Sequence, residues 1–193
     1  MDDWDTEPKR RVALREKANH AKLFRSRSMI CVLENPNQVL NIGSVMRNID
    51  ALGICKLYLV TDKKMDLKTN KSLHQSSVSA SKWVYTRCFP TTQACLEHLK
   101  KNNFVSVATS PHQKGRINVQ LTEHDFTQYR KIAIWFGNES CGISEQVLDA
   151  SHACVQMQMS GIVESLNLSV STGIVLHHIW HERYQFKTKN KQT

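Results

Sequence analysis

The sequence predicts an α/β fold in which a largely parallel sheet is flanked by helices. Beyond Ser28, short apolar runs alternate with stretches whose apolar residues recur at helical spacing, the signature of strands and helices in turn. A chain of 193 residues is also long enough to bury one such core without disulfides or metal, and it contains no internal repeat. Strand and helix in alternation place the strands side by side in one sheet.

Residues 1–27 differ in composition from the rest of the chain. Between Lys9 and Arg27 there are eight basic residues (Lys9, Arg10, Arg11, Arg15, Lys17, Lys22, Arg25, Arg27) and one acidic residue, Glu16. Ala13, Leu14, Ala18, Ala21 and Leu23 permit a helix there, but its apolar face is thin and a contact is needed to order it. The segment reads as a basic arm, either a solvated tail or a contact for RNA phosphates. Residues 28–186 form the folded domain and residues 187–193 a flexible tail.

Residues 29–33 read as the first strand. Ile42, Val45, Met46, Ile49 and Leu52 then recur as a helix stripe, with Asn41 placed to cap it. Residues 57–60 form a second strand, and residues 63–81, rich in Lys, Ser, Asn and Gln, a long loop with a helical turn. Further strands are expected at 83–89, 104–108, 132–136 and 153–157, with helices near 91–101, 144–150 and 166–184 and a frayed end after Phe186.

The chain carries 26 Lys and Arg against 17 Asp and Glu, a formal charge of +9 and a pI near 9.4, so a polyanionic partner is consistent with its surface. Its six cysteines include no C-x-x-C pair, which argues against zinc and against a disulfide framework. The first residues lack an apolar signal region, and no run approaches the ~18 apolar residues of a membrane span. A reduced, cytoplasmic protein with no membrane partner is the expectation. None of the seven glycines forms G-x-G-x-x-G after the first strand, which removes the usual dinucleotide fold. Gly137 and Gly142 have phosphate-loop spacing but are followed by Ile143-Ser144 in place of Lys-Ser/Thr, so nucleotide hydrolysis is excluded.

Three segments carry the chemistry. Asn41-Ile42-Gly43-Ser44-Val45-Met46-Arg47 puts Gly43 and Arg47 on one helix face, away from the apolar stripe, with room beside the guanidinium. Phe136-Gly137-Asn138-Glu139 ends a buried strand in a tight turn, where Gly137 lets the backbone come close to a ligand, and Ser144 then caps a helix. Residues 157–171, with Met157, Gly161, Ser165, Leu166 and Asn167, break an apolar stretch at a loop and re-form it on a helix, so amides and small hydroxyls converge at a helix N-terminus.

In this order the segments resemble the three motifs of the SpoU (TrmH-like) RNA 2′-O-methyltransferases of the SPOUT superfamily, over roughly residues 28–181. The resemblance implies S-adenosylmethionine as cofactor, transfer of its methyl group to a ribose 2′-hydroxyl of tRNA or rRNA, a homodimer with shared active sites, and a C-terminal deep trefoil knot. It implies catalytic or site-organising roles for Arg47, Asn41, Glu139, Ser165 and Asn167, and a cofactor cradle at Thr109, Gly137, Met157, Ser165 and Leu166. An arginine is a poor base and a good stabiliser of negative charge, so Arg47 is expected to clamp phosphate and steady the forming alkoxide while a phosphate or water takes the proton. The basic residues Lys9, Arg10, Arg11, Arg15, Arg25 and Arg27 are the expected RNA contacts. The sequence departs from the family pattern at Gln158, where Pro is usual, and at Ser171-Thr172, where Ala is common.

Ser165, Ser169 and Gly173 form a small-residue ladder on the last helix, suited to the knot core or to a partner subunit. His177 and His181 lie one turn apart beside His178, but the glutamate of H-E-x-x-H is missing and no third ligand is evident, so no metal site is expected. The competing functional reading is an RNA-binding protein that keeps this fold without catalysis. The intact set of Asn41, Arg47, Glu139, Ser165 and Asn167 favours the enzyme.

Overall fold

A computed structural model of the chain describes residues 12–13, 15–16, 19–21, 25–62, 67, 69–111 and 118–190. The elements are β1 (Ser26–Glu34), α1 (Val39–Ala51), β2 (Ile54–Val60), α2 (Lys71–Ser77), a 3-10 turn (Ala80–Lys82), β3 (Tyr85–Phe89), α3 (Thr92–Lys101), β4 (Val105–Thr109), β5 (Val119–Gln120), β6 (Ile132–Phe136), α4 (Glu145–Ala150), β7 (Ala153–Gln156) and α5 (Leu168–Lys189). The strands pair in parallel in the order β3-β2-β1-β6-β4-β7-β5.

The apolar runs are explained by burial on both faces. On one face Met29, Cys31 and Leu33 of β1 pack with Ile42, Val45, Met46 and Ile49 of α1 and with Val175, Leu176 and Ile179 of α5. On the other, Ile30, Val32, Ala133 and Trp135 meet Cys95 and Leu99 of α3 and Val147 and Leu148 of α4. Each fully buried aliphatic side chain of the α1 stripe contributes about 1.5–3 kcal/mol, and truncating Ile49, which is 0% exposed, to Ala is expected to cost about 2–5 kcal/mol.

The direction of the crossovers positions the site. The chain leaves β1 toward β2 on one side and leaves its neighbour β6 toward β7 on the other. The connections therefore part at β1 and β6, and a crevice opens beyond the carboxyl ends of those two strands.

Several elements differ from the sequence expectation. The first helix begins at Val39, so Asn41 lies inside its first turn and does not cap it; Gln38 holds the cap position without a side-chain hydrogen bond. The 63–81 loop contains α2, capped by Asn70 Oδ1 accepting from Leu73 N at 3.0 Å. That helix explains Gly43. A Cβ there would lie 1.8 Å from Ser76 Oγ and 2.8 Å from Ser76 Cβ, so the missing side chain admits α2 and does not leave open room beside Arg47. The third strand starts at Tyr85, because residues 80–82 form the 3-10 turn that Trp83 terminates. Residues 119–120 add a short edge strand whose two residues are too few to show a sequence period. The last helix does not fray at Phe186: Asn190 caps it by donating to the carbonyls of Phe186 and Thr188. Arg183 anchors it, donating to the backbone carbonyls of Phe126, Tyr129 and Arg130.

Candidate functional site

A cavity of about 350 Å³ lies at the carboxyl ends of β4, β6 and β7. Thr109, Gly137, Met157, Ser165 and Leu166, all from the sequence-predicted cradle, line it, and so does Glu139. Thr109 is held in place by donating its hydroxyl proton to the Trp135 carbonyl at 2.8 Å. Gly137 is demanded by the chain itself. A Cβ would stand 2.2 Å from both Gly142 C and Ile143 N, because the 138–142 turn folds back on the strand end through reciprocal Asn138 and Gly142 backbone hydrogen bonds of 2.9 Å. The close approach is to backbone of the same turn.

That turn is organised by Asn138, whose Oδ1 accepts from Ser140 N at 2.7 Å and Cys141 N at 3.2 Å and whose amide donates to the Asn35 carbonyl. Gly142 completes it at φ 71°, the left-handed region that glycine occupies without a Cβ penalty. Glu139 is thereby presented to the end of β1, where it accepts from Asn37 N at 3.0 Å and Asn41 Nδ2 at 2.8 Å. Partial burial opposes its charge, but the hydrogen bonds from Asn37 and Asn41 outweigh it and hold the carboxyl below the ordinary carboxylate value.

The chain of contacts continues. Asn41 Oδ1 accepts from Asn167 Nδ2 at 3.1 Å, and Asn167 Oδ1 accepts from Ser169 N at 2.8 Å and Ser169 Oγ at 2.7 Å, capping α5. Asn48, two turns beyond Asn41 on the same face of α1, donates to the Ser169 carbonyl at 2.7 Å. Three of the sequence-predicted residues, Asn41, Glu139 and Asn167, therefore form one hydrogen-bonded line from motif to motif, although Asn41 lies 98 and 126 residues from the other two.

Arg47 stands apart from this line. It is exposed on α1 and has no hydrogen-bond or ion-pair partner among the described residues, so its guanidinium donors face outward, available to a ligand. Ser165 is exposed at the cavity rim. Of the arm, Lys9, Arg10 and Arg11 lie outside the described residues. Arg15 is helical and exposed, and Arg27 is exposed on β1. Arg25 is engaged within the fold, pairing with Asp50 at 2.9 Å and donating to the Ile54 carbonyl.

Sequence reasoning missed Glu34. This carboxylate, 2% exposed at the end of β1, accepts from Thr92 Oγ1 at 2.6 Å, Ser144 N at 2.8 Å and Ser144 Oγ at 2.7 Å. It fastens α3 and the start of α4 to the strand whose loop carries Asn35 and Asn37. An acid closing an apolar strand was the available signal. Among the described residues no group of three or more His, Cys, Asp or Glu side chains is placed to hold a metal ion, and no helix is long and apolar enough to cross a membrane.

The cavity suits a ligand with an apolar ring system, polar edges and a positive centre. Leu121, Val155 and Leu168 supply apolar wall, Ser165 and Ser171 hydroxyls, and Glu139 and Glu164 negative charge.

The family model of the SpoU rRNA Methylase family matches residues 28–177. The chain is 27% identical over 174 residues to a tRNA (guanosine(18)-2'-O)-methyltransferase of Thermus thermophilus, covering 90% of this chain and 85% of that one. Among solved structures it is similar to one described under the 2-OH methylation of C/U34 on tRNA, with 27% identity, a TM-score of 0.69 and coverage of 80% of this chain and 95% of that chain. It also shares its fold with the SpoU methyltransferase AviRb from Streptomyces viridochromogenes in complex with the cofactor AdoMet, at 22% identity, a TM-score of 0.73 and coverage of 83% and 62%.

Proposed function

The chain belongs to the SpoU rRNA methylase family, and from that premise we propose that it is an S-adenosylmethionine-dependent RNA 2′-O-methyltransferase acting on tRNA or rRNA. The observation that carries the reading is the line Glu139–Asn41–Asn167, which joins the three motifs at the mouth of the cavity.

S-adenosylmethionine, when bound, supplies an electrophilic methyl carbon on a sulfonium sulfur. Thr109, Gly137, Met157, Ser165 and Leu166 would hold it, in a cavity that offers apolar wall at Leu121, Val155 and Leu168 and negative charge at Glu139 and Glu164. Both oxygens of Glu139 are already taken by Asn37 and Asn41, and its pKa is lowered. A carboxylate so held is a weak base, so Glu139 organises the β1 and β6 loops and is not the proton acceptor. Arg47 presents free guanidinium donors that clamp a substrate phosphate and stabilise the developing 2′-oxyanion, while the phosphate or a water receives the proton. Holding the ribose oxygen in line for displacement supplies much of the rate, an effect worth about 7–11 kcal/mol at its best.

The reading extends to organisation. Residues 1–27 act as a basic arm for RNA, and the catalytic domain runs from residue 28 through the capped end of α5 at Asn190. Residues 157–167 thread through a preceding loop as a trefoil knot. The enzyme works as a homodimer, for which the exposed Ile162, Val163, Val170, Ile174 and Tyr184 supply apolar surface. Six free thiols suit the reducing cytoplasm.

The test is incubation of the purified protein with methyl-labelled S-adenosylmethionine and either total tRNA or rRNA, followed by mapping of 2′-O-methylated ribose. Label at a defined ribose is expected. Binding of both ligands without any transfer would establish the non-catalytic RNA-binding reading instead.

A further inference from the structure

We propose that a cation-on-aromatic patch running from the amino end of the sheet onto its β3 edge, formed by Lys56, Arg87 and Lys131, is a second contact for the substrate RNA's phosphates, remote from the methyl-transfer cavity. The inference rests on the reading that RNA is the substrate.

In a parallel sheet all strand starts lie at one end, and the two lysines gather there, while Arg87 lies midway along the edge strand β3, level with Tyr58 of β2. Lys56 sits early in β2, and Lys131 and Phe104 immediately precede β6 and β4. Lys56 Nζ and Lys131 Nζ both lie over the ring of Phe104, 5.6 and 5.3 Å from its centre, and the Arg87 guanidinium lies 4.9 Å over Phe89. Lys131 is further fixed by donating to the Asn102 carbonyl at 3.1 Å. Exposed Lys100 and Lys101 extend the patch from α3.

Two features separate this cluster from an ordinary solvated basic face. Among the described residues none of these cations is ion-paired with a carboxylate, so their charges are not neutralised within the fold. The aromatic rings also hold the long side chains in place, which lowers the entropy lost when a phosphate binds. His98 reports the resulting field: burial, then Arg87, Lys56 and Lys101, push its pKa below the ordinary histidine value. The chain enters β1 at this same end, where exposed Arg27 beside Ser26 adds a further positive charge.

Lys131 precedes β6 and Gly137 follows it, a separation on the order of 20 Å at ~3.3 Å per residue. At ~3.4 Å per stacked step, a stacked five-nucleotide RNA centred on the cavity falls short of the patch. A long RNA can reach both.

The experiment compares wild type with the triple variant Lys56→Gln, Arg87→Gln, Lys131→Gln, using a full-length tRNA transcript and a five-nucleotide RNA containing the methylated site. Cofactor affinity should be unchanged, showing an intact fold. The slope of log affinity against log salt for the tRNA should flatten by roughly 2–3 units, about one per phosphate contact, while kcat/KM on the pentamer stays at the wild-type value. An unchanged slope overturns the proposal, as does equal loss on both RNAs. If the triple variant does not fold, Arg87→Gln alone should flatten the slope by about one unit, and no change there is equally fatal. Wild-type protein that binds tRNA with a steep slope yet transfers no methyl group refutes the enzymatic reading instead, since the slope is measured without turnover.

Discussion

Replacing Gly137 with Ala tests whether this glycine serves the chain or the ligand. The added Cβ meets Gly142 C and Ile143 N at 2.2 Å and Gly142 O at 2.5 Å, all backbone atoms that no rotamer change can move. Relief requires the 138–142 turn to lift off the end of β6 by more than an ångström. That breaks the paired Asn138–Gly142 hydrogen bonds and pulls on Ser144, which Glu34 holds from the other side. Two backbone hydrogen bonds at about 1 kcal/mol each, with overpacking at about 1–3 kcal/mol, give a loss of roughly 3–5 kcal/mol. For a chain of this size that is a fall in Tm of roughly 6–20 °C. The assay is a thermal melt without cofactor, followed by calorimetric titration with S-adenosylmethionine, which should bind at least tenfold more weakly. Gly142→Ala is the companion variant: its Cβ meets nothing within 4 Å, so only the φ of 71° penalises it, about 1–2 kcal/mol. A Gly137→Ala protein that melts like wild type but no longer binds cofactor would refute the packing argument and restore direct ligand approach as the reason for glycine.

Arg47→Ala should leave cofactor affinity unchanged and cut methyl transfer by ~100-fold or more, the scale of removing one stabiliser of transition-state charge; both are measured on one preparation, and near-normal turnover removes Arg47 from the chemistry. Glu34→Ala strands the Thr92 and Ser144 donors in a buried setting, a cost of about 3 kcal/mol that should lower Tm by roughly 6–12 °C; a shift under about 2 °C contradicts the anchoring role. Burial depresses His124 and His178 below the ordinary value of 6.5. Below pH 6.5 the unfolded chain then binds more protons than the folded one, so these histidines make stability fall as pH falls through that window. Melts at pH 7.5, 6.5 and 5.5 should show a smaller acid-side drop for His124→Gln/His178→Gln than for wild type, and parallel curves would clear the histidines.

Strand and helix content was legible because it depends on local periodicity: the Ile42, Val45, Met46 and Ile49 stripe reads the same in a line of letters as on α1. Boundaries were legible only where a local cap set them, as Ser144 does for α4 by accepting from Val147 N at 3.3 Å. Asn41 misled for the same reason. Its type suits a cap, but its amide is committed to Glu139 and Asn167, contacts invisible to any short window. The α2 helix, whose apolar face is little more than Leu73, gave too weak a period to be read from its seven residues.

By itself, the sequence determined the α/β class, the basic character of the chain and the three motifs that supply part of the cavity lining, because each is a property of residues near one another in the chain. Tertiary structure alone decided the strand order that opens the crevice between β1 and β6, the burial of Glu34 among donors from α3 and α4, and the reason for Gly43 and Gly137, which is the backbone or helix that comes to rest against them. Those depend on segments tens to more than a hundred residues apart meeting at van der Waals distance, and only the closed chain brings them there.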